Sequence, residues 1–414
     1  MGAIIIGAIG AIIPGDTAFV LISAALVLLM TPGLAFFYGG LVRHKNVLTI
    51  MMQSFIAMGV VTIIWLLFGY SLAYSGGAGG VIGDLNEIGL QGVGMAPNHF
   101  APTIPALAFF LFQLMFAIIT PALISGAFAD RVSFKAYLIF LVLWSVLVYI
   151  PFVHWIWGGG FLAKMGVVDF AGGIVVHLSA GMAALASVFV VGKRKLGDGE
   201  SSAPHNVPFV ALGAGLLWFG WFGFNGGSAL AANGVAAVAF VNTNTAAAVG
   251  MAAWLALTAW REGKMTLSGA ATGAVAGLAT VTPAAGYVPP LAAALIGLLA
   301  AAFCYFAIQF RIARKWDDAL DVWGVHGVGG GLGTILTGML AVAAINHING
   351  LFVGDGRQFG VQVLGVAIAA IYSFGVTFGI LKLVNLITPV RVSAKVEADG
   401  LDLALHGEVA YDLP

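Results

Sequence analysis

Three ionisable side chains lie in stretches of the sequence that are otherwise apolar. Asp169 and His177 are the ends of the run DFAGGIVVH, which stays apolar to Val191, and His326 lies in a second apolar segment from Val322 to Ala344. Ionisable groups at membrane depth are costly and usually face a cavity in which they act. A neutral imidazole can both donate and accept a hydrogen bond, so it can pass a proton without carrying a charge. The pattern predicts a pore with paired polar groups inside.

The composition is that of a polytopic membrane protein. The 414 residues are 61% hydrophobic and only 8% charged, and the mean hydropathy is +1.03, whereas a soluble domain is roughly 25% charged. The formal net charge of zero gives no indication of a partner, and the single cysteine, Cys304, excludes an intrachain disulfide. The 58 glycines are scattered through apolar runs, which favours close approach of helices.

Runs of about 20 apolar residues predict transmembrane helices. Before the first run, Met1 to Pro14 is apolar without a basic flank; we expect a short lead-in, with a signal peptide as the alternative. Eleven helices are predicted, near 17–40, 48–75, 103–128, 136–153, 171–192, 207–230, 240–260, 268–284, 290–310, 323–344 and 360–388.

Basic residues alternate between the predicted connections. One set of connections holds only Lys164 and Arg357, while the other holds most of the arginines and lysines: Arg43, Lys45, Arg131, Lys135, Lys193, Arg194, Lys195, Arg261, Lys264, Arg311, Arg314 and Lys315. Loops rich in Lys and Arg stay in the cytoplasm. We therefore expect the N-terminus outside the cytoplasmic membrane and the C-terminus in the cytoplasm.

The two halves of the predicted bundle contain similar sequence segments. Residues 29–40 read LMTPGLAFFYGG and residues 216–227 read LLWFGWFGFNGG, and the two segments cross the membrane in opposite directions. His177 and His326 both fall on the fifth predicted span of their half. Inverted repeats of this kind place a substrate site near the midplane of the membrane.

Several motifs make the chain recognisable. They are TPGLAFFYGGLVRHKN at 31–46, DFAGGIVVHLSAGMAAL, WFGWFGFNGGSALAAN, DVWGVHGVGG and GLDLALHGEVAY at 400–411. With them the chain resembles the ammonium transporter family (Amt/MEP/Rh), on the Amt side. The resemblance implies an all-α fold of eleven transmembrane helices, an inverted pseudo-twofold repeat of five plus five, and a pore in each subunit of a homotrimer. It also implies a transporter rather than an enzyme, with ammonium or ammonia as substrate, and neither cofactor, metal nor nucleic acid.

For the histidines, the resemblance implies that the two rings line an apolar pore and share a hydrogen bond. A helix rises 1.5 Å per residue, which places His177 about 12 Å below Asp169 and His326 about 7.5 Å above Asp321. Without the resemblance, two separate structural histidines would be an equal alternative.

On the external side, Trp157, Phe116 and Ser228 match the ammonium-recruitment site of the family. Aromatic faces bind a cation with roughly 0.5–2 kcal/mol each, and a Ser hydroxyl can accept a hydrogen bond that potassium cannot donate. Trp157 alone could equally belong to an interfacial aromatic belt.

Below that site, Phe116 and Phe224 match the stacked pair of rings that closes the family's pore. Phe112 and Trp221, each one helical turn from these rings, are expected to line the same route. With 29 phenylalanines in the chain, ordinary packing is the alternative for each ring.

Two further features carry expected roles. Asp169 is expected to act structurally and electrostatically, as a cap for the fifth helix, rather than as a direct ammonium ligand. We divide the chain into a transporter domain over 1–388 and a cytoplasmic regulatory tail over 389–414, which resembles the tail that docks PII-type (GlnK-like) regulators.

The predicted function is ammonium uptake across the cytoplasmic membrane. Burial lowers the pKa of an amine by up to about 3–5 units, so ammonium should lose its proton and cross as ammonia, with net charge movement favoured. A neutral ammonia channel and an ammonium sensor are the alternatives, the short tail of 25 residues after Pro389 favouring transport.

Two other classes would use the same residues differently. A membrane haem protein would need a gap of haem size between His177 and His326. An intramembrane hydrolase would pair Ser179 with His177, although residues two apart point to different helix faces.

Overall fold

The protein, described by a computed structural model, is a single bundle of helices. The structure covers residues 11–77, 79–195 and 202–411, and within these ranges the only β pairings are isolated bridges, such as Asn98 with Ala101. Most of the predicted lead-in Met1–Pro14 lies outside the described residues, as do 412–414 of the predicted tail.

The longer helices follow the predicted spans closely. They are α1 Pro14–Leu41, α2 His44–Tyr74, α3 Ala106–Phe128, α4 134–156, α5 Gly173–Val191, α6 Val207–Gly227, α7 Gly234–Glu262, α8 Leu267–Val281, α9 Pro290–Ala313, α10 323–340 and α11 Gly356–Ile387, followed by the short tail helices α12 Ala394–Asp399 and α13 Leu401–His406.

Nine helices of the described residues are long and apolar enough to cross a membrane. The other two predicted spans are helical as well, but α8 has only 15 residues and α10 is rich in glycine. The all-helical, multi-pass architecture is therefore confirmed, while the count of eleven spans stays a prediction.

Local sequence explains where many helices begin. Pro14 opens α1 at a position where its missing N–H is not needed. Six other helices of the described residues begin after a side chain that accepts a hydrogen bond from a backbone N–H of the first turn; the capping residues are Ser133, Asn206, Asn233, Thr266, Asp355 and Ser393.

Helices from the first and second halves of the chain pack against each other. Helix α1 lies along α6, and α5 meets α10. At the second crossing a Cβ on Gly181 would lie 2.1 Å from the backbone N of Gly327, and a Cβ on Gly330 would lie 2.8 Å from the Cβ of His177. Glycine lets the two helices that carry the histidines approach to backbone contact, as small residues do in membrane bundles.

Both histidines lie in π turns at the start of their helices. The first turn, Gly173–Leu178, contains His177, and the second, Trp323–Gly327, contains His326. Two more π turns, Trp65–Gly69 and Ser145–Tyr149, interrupt α2 and α4. Single π turns inside α-helices are frequent at functional sites.

The arginine-rich connections meet at one end of the bundle, which we call the basic end. Here Asp130 lies between Arg43 and Arg194, and Asp317 binds the Arg194 guanidinium at 2.8 Å. The tail helices dock on this end: the Asp402 carboxylate accepts hydrogen bonds from the backbone N–H groups of Leu48 and Thr49.

Candidate functional site

Each π turn is held by an aspartate eight residues before its histidine. The Asp169 carboxylate accepts hydrogen bonds from four successive backbone N–H groups, those of residues 172–175, at 2.6–3.1 Å. Asp318 accepts from the N–H groups of Val322 and Trp323 at 3.1 and 2.7 Å. Because a helix leaves its first N–H groups without partners, these carboxylates satisfy the exposed start of each turn.

This arrangement differs in one respect from the sequence argument, which measured the height of His326 from Asp321. In the structure Asp321 pairs with the Arg311 guanidinium at the basic end. Asp318, three residues earlier, is the counterpart of Asp169. The sequence did not distinguish the two carboxylates because the turn between them depends on a left-handed backbone at Asp321, with φ of 61°.

The two histidine rings lie side by side. Their Nδ1 atoms are 3.2 Å apart, and the ring centroids are separated by 5.2 Å with an angle of 20° between the planes. One Nδ1 donates and the other accepts, so both rings can be neutral. The Nε2 atom of His177 is buried and has no hydrogen-bond partner in the described part of the chain.

A narrow apolar lumen surrounds the pair. It has a volume of about 20 Å³ and is lined by both histidines together with aliphatic and aromatic side chains, among them Leu34, Ile119, Val176 and Trp221. A water needs two to four polar partners to be bound stably. The histidines are therefore the main polar groups that a molecule crossing this lumen would meet.

A cavity of about 240 Å³ lies on the other side of the Phe224 ring and contains the predicted recruitment residues Trp157, Phe116 and Ser228. The Trp157 indole donates a hydrogen bond of 2.8 Å to the backbone carbonyl of Asp169. The Ser228 hydroxyl donates to the Phe224 carbonyl at 2.9 Å, which leaves its oxygen lone pairs available to a donor. We call this space the outer cavity.

The rings of Phe116 and Phe224 separate the outer cavity from the lumen. Their centroids are 4.4 Å apart, but the planes make an angle of 42°, so the pair is tilted, whereas the sequence predicted stacked rings. The tilt follows from crowding, because Phe116 also meets the edges of Phe112 and Trp157 at 5.0 and 5.7 Å. Trp221 stacks on His177 at 5.4 Å, beside the lumen.

A third cavity opens at the basic end. It has a volume of about 340 Å³ and reaches His326, with Arg194, Arg311 and Asp321 on its walls. The lumen and this inner cavity share four lining residues, Phe37, Tyr38, Val275 and His326. The three spaces thus follow one another across the bundle, with the histidines at the narrowest part.

Sequence reasoning missed several residues of the site. Tyr74, Phe100 and Gln113 line the outer cavity, and the Gln113 side-chain oxygen is buried without a partner in the described residues. Gln113 lies in the apolar run of α3, so its type is a signal, but a single sequence does not tell which face of a fully apolar helix points to a cavity.

The geometry argues against the two other classes. The contact between the Nδ1 atoms leaves no space for a macrocycle between the rings. The Ser179 hydroxyl donates to the carbonyls of Val175 and Val176, which directs it along its own helix and away from the His177 ring.

Comparison with known proteins decides the family. The sequence profile of the Ammonium Transporter Family matches residues 18–411. The chain belongs to this family. An ammonium transporter of Bacillus subtilis is 50% identical over 401 residues, covering 96% of this chain and 98% of the relative. Amt1 of Archaeoglobus fulgidus is 45% identical over 96% of this chain and 99% of its own.

Solved structures agree with the fold of this family member. Mep2 of Saccharomyces cerevisiae, 35% identical, matches with a TM-score of 0.87 over 93% of this chain and 88% of its own. A protein described as a sensor Amt protein, 30% identical, matches with a TM-score of 0.88 over 95% and 98%. Together the family and these structures support ammonium transport by a multi-pass membrane protein.

Proposed function

We propose that the protein takes up ammonium by binding it in the outer cavity, removing its proton, and passing ammonia through the lumen between the two histidines. The observation that carries the proposal is the contact between His177 and His326 inside an apolar lumen of about 20 Å³. Moving a cation into such a space costs several kcal/mol of free energy, since inserting even a charged side chain at the bilayer centre costs at least about 2.5–3.5 kcal/mol.

In the outer cavity, ammonium binds against the faces of Phe116 and Trp157. It donates one hydrogen bond to the Ser228 hydroxyl oxygen, whose own hydrogen already bonds the Phe224 carbonyl. The hydrogen bond of the Trp157 indole to the Asp169 carbonyl fixes the ring. Asp169, whose oxygens already accept four N–H groups, acts through position and negative field rather than as a ligand.

The tilted rings of Phe116 and Phe224 then admit one molecule at a time. Phe112 and Trp221 line the same route and keep it apolar. Because the hydrated cation cannot fit beside these rings without losing water, the neutral form crosses.

In the lumen, the partnerless Nε2 of His177 offers a hydrogen bond to ammonia. The Nδ1–Nδ1 contact lets a proton move between the rings with both neutral at rest. The proton therefore crosses with the ammonia and the transport carries net charge. A neutral ammonia channel would result if the proton returned to the outer side.

The experiment is a current measurement on proteoliposomes after a jump in ammonium concentration. Wild-type protein is expected to give a transient inward positive current that potassium does not evoke. His177→Ala should lose the current or its selectivity, whereas His347→Asn, at an exposed histidine of the loop before α11, should keep both.

Two results would change the assignment. Internal alkalinisation without current would mean a neutral ammonia channel. If neither signal appears in protein that size-exclusion chromatography shows to be folded, a sensor is favoured. That role is named for one structural neighbour.

The same proposal includes the domain bounds, the orientation in the membrane and the oligomeric state. Residues 1–388 form the transporter domain of eleven spans, with five-plus-five inverted repeats, and the basic end faces the cytoplasm with the N-terminus outside. The subunits form a homotrimer, whose mass in native mass spectrometry tests the assembly.

Residues 389–414 act as a cytoplasmic regulatory tail that receives a PII-type regulator. The docked tail supports this role, because it already contacts the loops at the basic end: the buried Glu397 carboxylate accepts a hydrogen bond from the backbone N–H of Lys195, and the Tyr411 hydroxyl lies 3.0 Å from His205 Nε2. Co-purification with a PII-type protein, and its loss on truncation at residue 389, tests the partner.

A further inference from the structure

A band of aromatic side chains crosses the outside of the bundle near its basic end. Successive ring centroids are 5.3–6.3 Å apart, and the band runs from α11 across α5 to α9 through Phe378, Phe374, Phe189, Trp316 and Phe310. A cation lies over each end of the band: the Lys382 ammonium is 5.4 Å from the Phe378 ring, and the Arg314 guanidinium is 5.1 Å from the Phe310 ring.

An apolar groove of about 450 Å³ adjoins the Phe310 end of this aromatic band. It lies between α9 and α10 and is lined by Ala302, Phe303, Phe306, Ala307, Phe310, Trp323 and Val328. The three phenylalanines are each about half exposed. In a membrane such a groove faces acyl chains. The aromatic rings at the end of the groove nearest the basic end are typical of the boundary with the lipid headgroups.

Within the described part of the chain, the carboxylates near the groove are bound to arginines other than Arg314. Asp317 binds Arg194, and Asp321 binds Arg311. Arg314 and Lys315 follow directly on the end of α9, are exposed, and have no acidic partner among the residues that the structure describes. Their long side chains can reach the headgroup level while their stems cover apolar surface.

We propose that this groove binds one acyl chain of an anionic phospholipid, with the phosphate held by Arg314 and Lys315. Basic pockets between transmembrane helices on the cytoplasmic side are suited to acidic headgroups. The guanidinium offers two parallel N–H donors to phosphate oxygens, and its position over the Phe310 ring limits the freedom that it loses on binding.

The groove also contacts the π turn that contains His326. Trp323 opens the π turn that contains His326, and Val328 follows its last residue. This turn has little room to adjust, since a Cβ on Gly324 would lie 2.7 Å from Ile308 and one on Gly327 would lie 3.0 Å from the Trp323 ring. A chain in the groove therefore supports the outer side of the turn and the position of His326.

The binding claim stands on the groove and its cations alone, while the effect on the pore rests on the proposed function. The first measurement is native mass spectrometry of the full chain with phosphatidylglycerol or phosphatidylcholine of the same acyl chains. Wild-type protein should retain phosphatidylglycerol preferentially. Loss of one basic side chain at a membrane surface should reduce the preference roughly five-fold, so Arg314→Gln is expected to show that loss.

Matched variants separate this site from general surface charge. Lys264→Gln removes a charge from another connection of the basic end and should leave the preference unchanged. Ala307→Phe fills the groove and should reduce retention of both lipids, whereas Ala294→Phe, elsewhere on α9, should not. Equal retention of the two lipids by wild type, or equal effects of Arg314→Gln and Lys264→Gln, would overturn the proposal.

A second copy of the chain is the competing occupant. If Phe306→Cys forms a disulfide between two copies in vesicles, the groove is a subunit contact and the lipid proposal is wrong.

The effect of the groove on transport is tested with the same variant. Ala307→Phe should reduce the ammonium-evoked current at least two-fold in vesicles containing phosphatidylglycerol. If the current stays unchanged while lipid retention falls, only the link between the groove and the position of His326 is wrong. If the wild-type protein carries no ammonium, only the proposed function is wrong.

Discussion

At the scale of single residues, the most consequential side chains are not only the histidines but the carboxylates that hold them. Asp169 and Asp318 lie eight residues before His177 and His326 and satisfy the N–H groups that begin each π turn. Asp169 could be recognised from the sequence because it interrupts an apolar run. Asp318 could not, because it is one of three aspartates in a polar connection, and only the folded backbone selects it.

Asp318 should leave a specific signature in the pH dependence of stability. Burial, and then the neighbouring Asp321 carboxylate, raises the pKa of Asp318 to about 6, against the opposing effects of Arg311 and the two backbone N–H groups. The folded protein therefore holds this proton between about pH 4 and 6, where the unfolded chain has released it. This group stabilises the fold as the pH falls from 7 to 5, by up to about 3 kcal/mol over the whole window.

Thermal unfolding in detergent at pH 7, 6 and 5 tests this sign. In Asp318→Asn, which carries no charge at any pH, the gain on acidification should be smaller than in wild type by this contribution. Asp317→Asn is the control: burial would raise the pKa of Asp317, but the hydrogen bonds and charge of Arg194 lower it below its usual value, so it does not titrate in this range. A wild type and an Asp318→Asn variant with the same pH profile would contradict the assignment.

Gln113 is the second residue whose role only the structure suggests. Its buried side-chain oxygen lines the outer cavity without a partner, and a hydrogen bond to a charged group contributes roughly 1.5–3 kcal/mol. Gln113→Leu is expected to raise the ammonium concentration for half-maximal current roughly ten-fold, with the maximal current retained.

Gln309→Leu, on α9 outside the cavity, is the matched control for that measurement and should leave the half-maximal concentration unchanged. An unaltered half-maximal concentration in Gln113→Leu would mean that ammonium binds without this side chain.

At the scale of helices, the crossing of α5 and α10 sets the geometry of the lumen. Two neighbouring glycines of α10 face different surroundings. A Cβ on Gly330 would lie 2.6 Å from the Gly173 carbonyl oxygen and 2.8 Å from the His177 Cβ, while a Cβ on Gly331 would lie 3.5 Å or more from any atom near it. The first position has no space for a methyl group and the second has ordinary contact distance.

Gly330→Ala is therefore expected to separate the helices, displace His177 and abolish the ammonium current. Overpacking of this kind usually costs about 1–3 kcal/mol, so the unfolding temperature should fall as well. Gly331→Ala, with the same change in volume, should keep the current and the unfolding temperature near wild type. If both variants transport normally, the crossing is more compliant than its contacts indicate.

The order and approximate limits of the long helices were predictable, because a long apolar run in a chain of this composition indicates a transmembrane helix. The π turns were not. A π turn adds one residue to a turn without changing which residues are apolar, so a uniformly apolar helix such as α5 gives no signal of it. The tilt between the Phe116 and Phe224 rings was missed for a similar reason, since it depends on how the Phe116 ring packs against Phe112 in its own helix and against Trp157 after α4.

At the scale of the whole molecule, the tail is joined to the bundle by buried charged groups as well as by apolar side chains such as Leu401. Glu397 is fully buried and binds Arg391 through both oxygens, and it also accepts the backbone N–H of Lys195. The sequence motif suggested a regulatory tail, but the docking partners come from residues about 200 or 350 positions away and no local pattern encodes them.

Glu397→Gln should loosen the docked tail, because it weakens the charged hydrogen bonds between Arg391 and Glu397, and a hydrogen bond to a charged group contributes roughly 1.5–3 kcal/mol. Limited digestion with trypsin should then cut faster at Arg391 and Lys395 than in wild type. Glu408→Gln, at an exposed position of the same tail, should digest like wild type. Protection of Glu397→Gln equal to wild type would show that α13 holds the tail by itself.

The π turns have a consequence for changes in chain length. Deleting a residue from a regular α-helix rotates everything beyond it by about 100° around the axis, which would turn a buried face toward lipid. The segment Gly173–Leu178 already contains one residue more than an α-helical turn requires. A single deletion there could be absorbed by a return to α-helical winding. The face of α5 that meets α11 would then keep its orientation, and only the orientation of His177 would change. Within α5, the turn that contains His177 is thus also the place where the membrane fold would best tolerate the deletion of one residue.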